Sequence, residues 1–430
     1  MASLPSQMFS VVFLSVLWGC TDSSTTAANG AKAEATPTSV ATNSGSATAE
    51  GKWPWPCWRG MEGTGISAMS GFNKNWTAKA PKLLWQAPLT DMGWSGPASD
   101  GKVLYIVDHS GSEDIVCAWN LASGKEVWKT KYPDADNDNN GFTRSTPLID
   151  GSNLYIVSRL GKVLCLDTAK GAIKWQHDLV GEFSGHTPQW GYAISPMIDG
   201  KNLIIVPGAA DAAIVALDKS TGATLSKGGT GDPGYATPVI ATIQGKRQYV
   251  VFQAKKLAGI STDTFAELWS VPWDTAYGVN AATPVVMGNS IFISSGYGHG
   301  CAMVDVGPSS AQIRWQNRLI QAHFSSPIVY KGYIYGTGDP GKLTCLDPKT
   351  GTALWQQPGF EKGGLCAADG VAFVNNGSNG DVILVKLETT GYKELGRIAP
   401  IRGQAWTAPI LVDGKLVVRT KDAIAVVDLS

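Results

Sequence analysis

The chain has 430 residues, among them 50 Gly and 16 Trp, with 16% charged side chains and 35 Lys plus Arg balanced by 35 Asp plus Glu. Helical bundles carry more charge and fewer glycines, so the composition points to an all-β, turn-rich fold packed with aromatics. Balanced charge without a dense basic block lacks the footprint that nucleic acid or anionic membrane requires, so no nucleic acid partner is expected.

Met8 to Trp18 is an apolar run of about eleven residues, short of the roughly twenty that span a bilayer. It fits the h-region of a secretory signal, which predicts export. Leu17-Trp18-Gly19-Cys20 resembles a bacterial lipobox, implying a signal peptide over 1–20, lipidation of Cys20, and membrane contact through that lipid alone. Trp18 is bulky for such a site and no Lys or Arg precedes Lys32, so ordinary signal cleavage stays open. Residues 21–52 are almost entirely Ala, Thr, Ser, Gly and Asn, too poor in apolar surface to order themselves, and read as a flexible tether. A Trp-rich leader, 53–80, follows.

From Pro81 onward the chain repeats. A small residue and Pro, then a short β-branched and aromatic run, recur at Gly96-Pro97, Thr146-Pro147, Ser195-Pro196, Thr237-Pro238, Thr283-Pro284, Ser326-Pro327, a degenerate copy from Cys366 to Gly370, and Ala408-Pro409. A spacing of about forty to fifty residues marks a repeat architecture. The clearest unit reads Ser145 to Ile149, a turn at Asp150-Gly151, Leu154 to Ser158, a turn near Gly161, Val163 to Asp167, a turn ending at Gly171, and Ala172 to Trp175. Four β-rich runs split by Gly turns predict a four-stranded antiparallel blade, which must stack on neighbours to bury both faces.

Asn120-x3-Gly124-x3-Trp128, Asp167-x3-Gly171-x3-Trp175 and Asp347-x3-Gly351-x3-Trp355 share one spacing, and Asp218-x3-Gly222-x3-Ser226 keeps it without the Trp. Gly supplies positive φ, Asp or Asn caps the turn, and Trp packs between sheets with its indole N–H on a carbonyl. Trp85, Trp128, Trp175, Trp269, Trp315 and Trp355 are therefore expected to dock blades, with Leu395 in the seventh unit's slot. The last run, Ala423 to Asp428, is a third strand without a fourth, and Pro81 to Gln86 is a fourth strand with nothing before it. Joining them predicts an eight-bladed β-propeller over 81–430, closed by N- and C-terminal strands.

These units resemble the tryptophan-docking repeats of pyrroloquinoline-quinone (PQQ)-type β-propellers from about Lys82 to Ser430, and Trp53 to Gly65 resembles the Trp-Pro-x-x-Arg-Gly leader that precedes their first blade. Within that superfamily the chain is similar to exported lipoproteins related to BamB of outer-membrane barrel assembly. The resemblance implies a monomeric periplasmic domain anchored to the outer membrane, binding an envelope protein or peptide, with no cofactor expected. The superfamily also implies an alternative, a dehydrogenase acting on alcohols or sugars with PQQ beside Ca2+. Such enzymes use an Asp base and a disulfide between adjacent cysteines; this chain has no Cys-Cys dipeptide and no match to their metal or base motifs, so no catalytic residue is assigned.

Asp136, Asp138 and Asn140 stand at positions 1, 3 and 5 of a Ca2+ loop, but position 12 is Pro147 where a bidentate Glu belongs, so the segment reads better as a polar inter-blade loop. Cys165 and Cys345 fill a small apolar slot and are expected as buried thiols; Cys57, Cys117, Cys301 and Cys366 are open to pairing in an exported protein. The segments entering the innermost strands converge at one mouth and bring Trp94, Arg144, Trp190, Tyr192, Tyr235, Tyr277, His323 and Trp406 there. Two roles fit these residues: a surface that stacks on a flat ligand or grips an extended peptide, or an aromatic plug.

Overall fold

The computed structural model describes residues 52–135 and 140–430, all within one compact unit, Pro37–Ser430. Cys20 and the signal segment, the tether through Gly51, and Asp136 and Asp138 lie outside the described residues. Eight sheets follow one another along the chain, six of them with four strands in sequence order. Blade 1 comprises Ala98–Ser99, Val103–Ser110, Glu113–Asn120 and Glu126–Pro133, and the same antiparallel meander recurs through blade 7, Leu365–Ala368 to Glu394–Ile398. Blade 8 takes Ile410–Val412, Lys415–Arg419 and Ala423–Asp428 from the C-terminus and its outermost strand, Lys82–Pro88, from the N-terminal side. That junction is antiparallel, with Lys82 opposite Asp428 and Pro88 opposite Ala423.

The leader departs from a simple preface. Ile66–Ser67 adds a fifth, parallel strand to the inner edge of blade 7, opposite Ala367 and Ala368. Its neighbours lace across other inner strands: Trp55 pairs with Ser99 of blade 1, Pro56 accepts from the Ile149 N–H of blade 2, and Trp58 donates to Thr283 Oγ1 of blade 5 at 2.8 Å. Arg59, buried, donates to the Pro327 carbonyl of blade 6 at 2.7 Å. Burial lowers the Arg59 pKa to about 10, and carbonyls at Gly63, Thr64 and Pro327 satisfy the guanidinium. The small-residue-Pro motif also acquires a role. The Ser195 hydroxyl accepts from the Thr146 N–H at 2.8 Å, Thr237 from the Ser195 N–H at 3.0 Å, and Ser326 from the Thr283 N–H at 2.9 Å, stitching neighbouring inner strands around the axis.

The core lies between blades. In every blade a bulge skips one residue of the outermost strand, as between Leu83 and Trp85 in blade 8, and so re-aims the next side chain into the seam. Trp85, Trp128, Trp315 and Trp355 occupy that slot and donate to the carbonyls of Leu121, Thr168, Pro348 and Glu388 in the following blade's turn at 2.8–2.9 Å. Trp269 instead bonds Gln248 Oε1 of its own blade at 2.6 Å. The Trp175 indole N–H has no acceptor among the described residues, while the Lys219 carbonyl receives the Tyr155 hydroxyl at 2.8 Å. The blade 7 expectation is off by one: Leu395 is the skipped residue and Gly396 holds the slot. A Cβ on Gly396 would lie 2.6 Å from Trp76, so the leader supplies the missing ring. Blade 3 places Ser226 in its slot, and Phe265, buried at φ +57 where the next turn would carry Gly, fills that seam with Ile214 and Ala216. None of the six described cysteines is paired; Cys165 and Cys345 are buried, and burial pushes the Cys117 thiol up to about 12.

Gly351 separates conformational from steric demand. Its φ is +74 and a Cβ would sit 2.7 Å from the Trp315 ring; Gly414 has the same φ with nothing within 4 Å. Gly414→Ala is expected to cost about 1 kcal/mol through backbone strain, and Gly351→Ala about 2–4 kcal/mol because overpacking adds to it. Calorimetric melting of the two variants checks this, and equal losses would show that Trp315 does not need the glycine.

Candidate functional site

The segments connecting the blades converge on a cavity of about 280 Å3. Trp94, Arg144, Trp190, Tyr235, His323 and Trp406 line it. Tyr192 does not: it is fully buried in the core between blades 2 and 3, with its hydroxyl on the Pro207 carbonyl at 2.9 Å, because Gly161 leaves room for the ring to turn inward. Tyr277 is 62% exposed on the rim, outside the lining. Sequence reasoning missed Trp58, Tyr297, Phe324 and Lys362, which also line the cavity. Phe324 adjoins His323 and was findable. Tyr297 and Lys362 sit in connections that carry no small-residue-Pro signal, and Trp58 reaches the cavity from the leader side.

The rings form a continuous arc. Trp94 stacks on Trp406 at 4.5 Å and Trp406 on Phe324 at 4.7 Å; His323 bridges Phe324 (4.3 Å) and Tyr297 (4.6 Å), and Tyr277 joins Tyr297 (5.5 Å) to Trp190 (5.4 Å). Backbone contacts fix both ends: Trp94 donates its indole N–H to the Asn140 carbonyl at 2.8 Å, and the Trp190 N–H reaches the Tyr235 hydroxyl at 3.3 Å. Tyr277 and Tyr297 hold φ of +62 and +53, a left-handed conformation costing each about 1–2 kcal/mol.

The described lining carries Arg144, Lys362 and His323 and no carboxylate. The Lys362 ammonium stands 5.7 Å over the Phe324 ring and 5.8 Å over Trp406. Asp339, just outside, meets His323 Nδ1 at 3.3 Å, and this bond, aided by Lys362, lowers the Asp339 pKa.

Residues 113–357, more than half of the chain, match the family model described as Outer membrane protein assembly factor BamB. The chain belongs to this BamB-type PQQ-repeat family. BamB of Escherichia coli K12 is 23% identical over 349 residues, covering 76% of this chain and 82% of that protein. The tetrathionate hydrolase of Acidithiobacillus ferrooxidans is 23% identical over 282 residues, 63% of this chain, and the chain spans only about half, 54%, of its length. The fold matches the crystal structure of Moraxella catarrhalis BamB (TM-score 0.59, 18% identity, 81% of this chain and 99% of that one). It also matches a quinohemoprotein alcohol dehydrogenase from Pseudomonas putida HK5 (TM-score 0.62, 12% identity, 87% and 80%).

The described lining of this BamB-family propeller's mouth does not fit a PQQ–Ca2+ pair. Ca2+ takes oxygen ligands with carboxylates prominent among them, yet the described lining presents cations, and no group of three His, Cys, Asp or Glu among the described residues could hold a metal. Asn140 lines the cavity by itself among the described Ca2+-loop candidates.

Outside the cavity lining, Asp134 is buried at the end of blade 1 with neither oxygen at normal hydrogen-bond length from a partner. Its neighbour Asp114 holds His109 Nδ1 and the Tyr132 hydroxyl, each at 2.8 Å. For His109, burial pulls the pKa down, but the bonds to Asp114 and to the Gly111 carbonyl outweigh it and leave it raised. Burial, then Asp114's charge, push Asp134 up to about 6, opposed in part by the nearby Ser158 hydroxyl and Leu160 amide. The folded chain therefore retains a proton that the unfolded chain releases near pH 3.8. The resulting penalty is absent below about pH 4, grows toward pH 6 and is complete above it. Asp134→Asn removes the penalty, so the variant should equal wild type near pH 3.5 and exceed it by up to about 3 kcal/mol at pH 8. Melting temperatures of both proteins across that range check the sign; a gap that shrinks as pH rises would refute it.

Proposed function

We propose that this chain is a non-enzymatic binding and scaffold protein of the bacterial envelope that presents its aromatic mouth to a protein or peptide partner. The observation that carries this reading is the unbroken arc of rings from Trp94 to Trp190, mounted on a closed ring of sheets and open to solvent at Tyr277. Solvent-facing aromatics on a rigid frame give contact area at low entropic cost. An aromatic plug would be buried throughout, whereas Tyr277 and Tyr297 stand 62% and 42% exposed.

The name of the family, Outer membrane protein assembly factor BamB, supports placing the partner among outer-membrane assembly proteins. In this reading the chain is exported, monomeric, and tethered to the periplasmic face of the outer membrane by a lipid on Cys20; among the described residues no helix is long and apolar enough to cross a membrane. No cofactor takes part. A PQQ- and Ca2+-dependent dehydrogenase is the competing assignment, and the lining described above opposes it.

A photo-reactive residue at Tyr277 should crosslink an envelope protein in living cells, and one at Val127, 50% exposed on the outer rim, should not. Trp94→Ala/Trp406→Ala should abolish the Tyr277 crosslink at unchanged expression. Equal crosslinking in that variant removes the mouth as the binding surface. Addition of PQQ with Ca2+ to the purified chain should confer no dye-linked oxidation of an alcohol. Such oxidation would reverse the assignment.

A further inference from the structure

Resting on the mouth as the binding surface, we infer that its cavity recognises an organic anion, an apolar or aromatic body bearing one carboxylate. A peptide's C-terminal residue and a free acid both offer this chemistry. About 280 Å3 walled by Trp94, Trp190, Tyr235 and Trp406 takes one ring-bearing group and excludes a folded surface.

Charge selects the rest of the ligand. Lys362 is held at the wall over Phe324 and Trp406, and Asp339, the carboxylate beside it, already receives His323. An ammonium or guanidinium guest would meet like charge among the described lining groups, while a carboxylate gains a charge-assisted contact with Lys362. The rings of the wall together with Lys362 match an amphipathic acid.

The test titrates the full chain with 3-phenylpropanoate, N-acetylphenylalanine, its C-terminal amide and phenethylammonium, following tryptophan fluorescence. The two carboxylates should bind about tenfold more tightly than the amide, with phenethylammonium weakest. Lys362→Met should bring carboxylate and amide to parity at an unchanged melting temperature, and Lys362→Arg should restore the preference. A tetrapeptide ending in free Phe that binds more tightly than 3-phenylpropanoate identifies the peptide terminus as the source; the reverse order identifies a free acid. Equal affinity for carboxylate and amide in the wild-type protein, or no quenching by either acid at about 10 mM, overturns the inference whatever Lys362→Met does. A chain that crosslinks its partner at Tyr277 but shows no carboxylate preference sinks the anion site alone. Carboxylate binding without crosslinks keeps the site and removes the partner.

Discussion

The molecule depends on one strand pairing made across almost the whole chain. Lys82–Pro88 lies against Ala423–Asp428 and completes blade 8. A blade is a flat sheet with apolar residues on both faces, and one unsealed seam would expose two of those faces together with a row of unpaired backbone groups. Closure therefore couples every blade to every other. It also fixes the spacing of the segments at the mouth, so rings as distant in sequence as Trp94 and Trp406 reach stacking distance.

Each seam holds an aromatic ring packed against its core, and the chain supplies it by more than one route. Six seams take it from the Trp of the preceding blade. Between blades 3 and 4 the slot holds Ser226, and the ring comes from the other side as Phe265, which accepts a left-handed backbone where its counterparts are glycine. Between blades 7 and 8 the slot holds Gly396, and Trp76 of the leader covers it, packed 5.7 Å from Phe373. What persists is the filled volume rather than the residue at a given position, as expected for a close-packed interior.

That distinction separates what was legible in the sequence from what was not. Repeat spacing, blade number and terminal closure follow from period-two runs and Gly turns, which are local, and they could be read from residues such as Asp167, Gly171 and Trp175. The fifth strand at Ile66–Ser67, the replacement of Leu395 by Trp76 and the inward turn of Tyr192 are tertiary facts with no local mark. Tyr192 and Trp190 are two residues apart in one segment, yet one is core and the other lines the cavity. Alternation along that segment gave no reason to divide them, and the room left by Gly161 did.

The leader brings the two faces of the ring into one problem. Trp58 lines the mouth cavity while Trp55, Pro56 and Arg59, its neighbours in sequence, are pinned to the inner strands of blades 1, 2 and 6. The N-terminal segment thereby contributes an indole, Trp58, to the wall of the cavity. A ring-lined cavity with cations in its described wall has the features that bind and orient a guest, and the described wall itself presents no carboxylate as a metal ligand. The leader that packs Trp76 into the last seam thus also borders the cavity through Trp58, and changes at Trp58 should act on ligand size before they act on the fold of the blades.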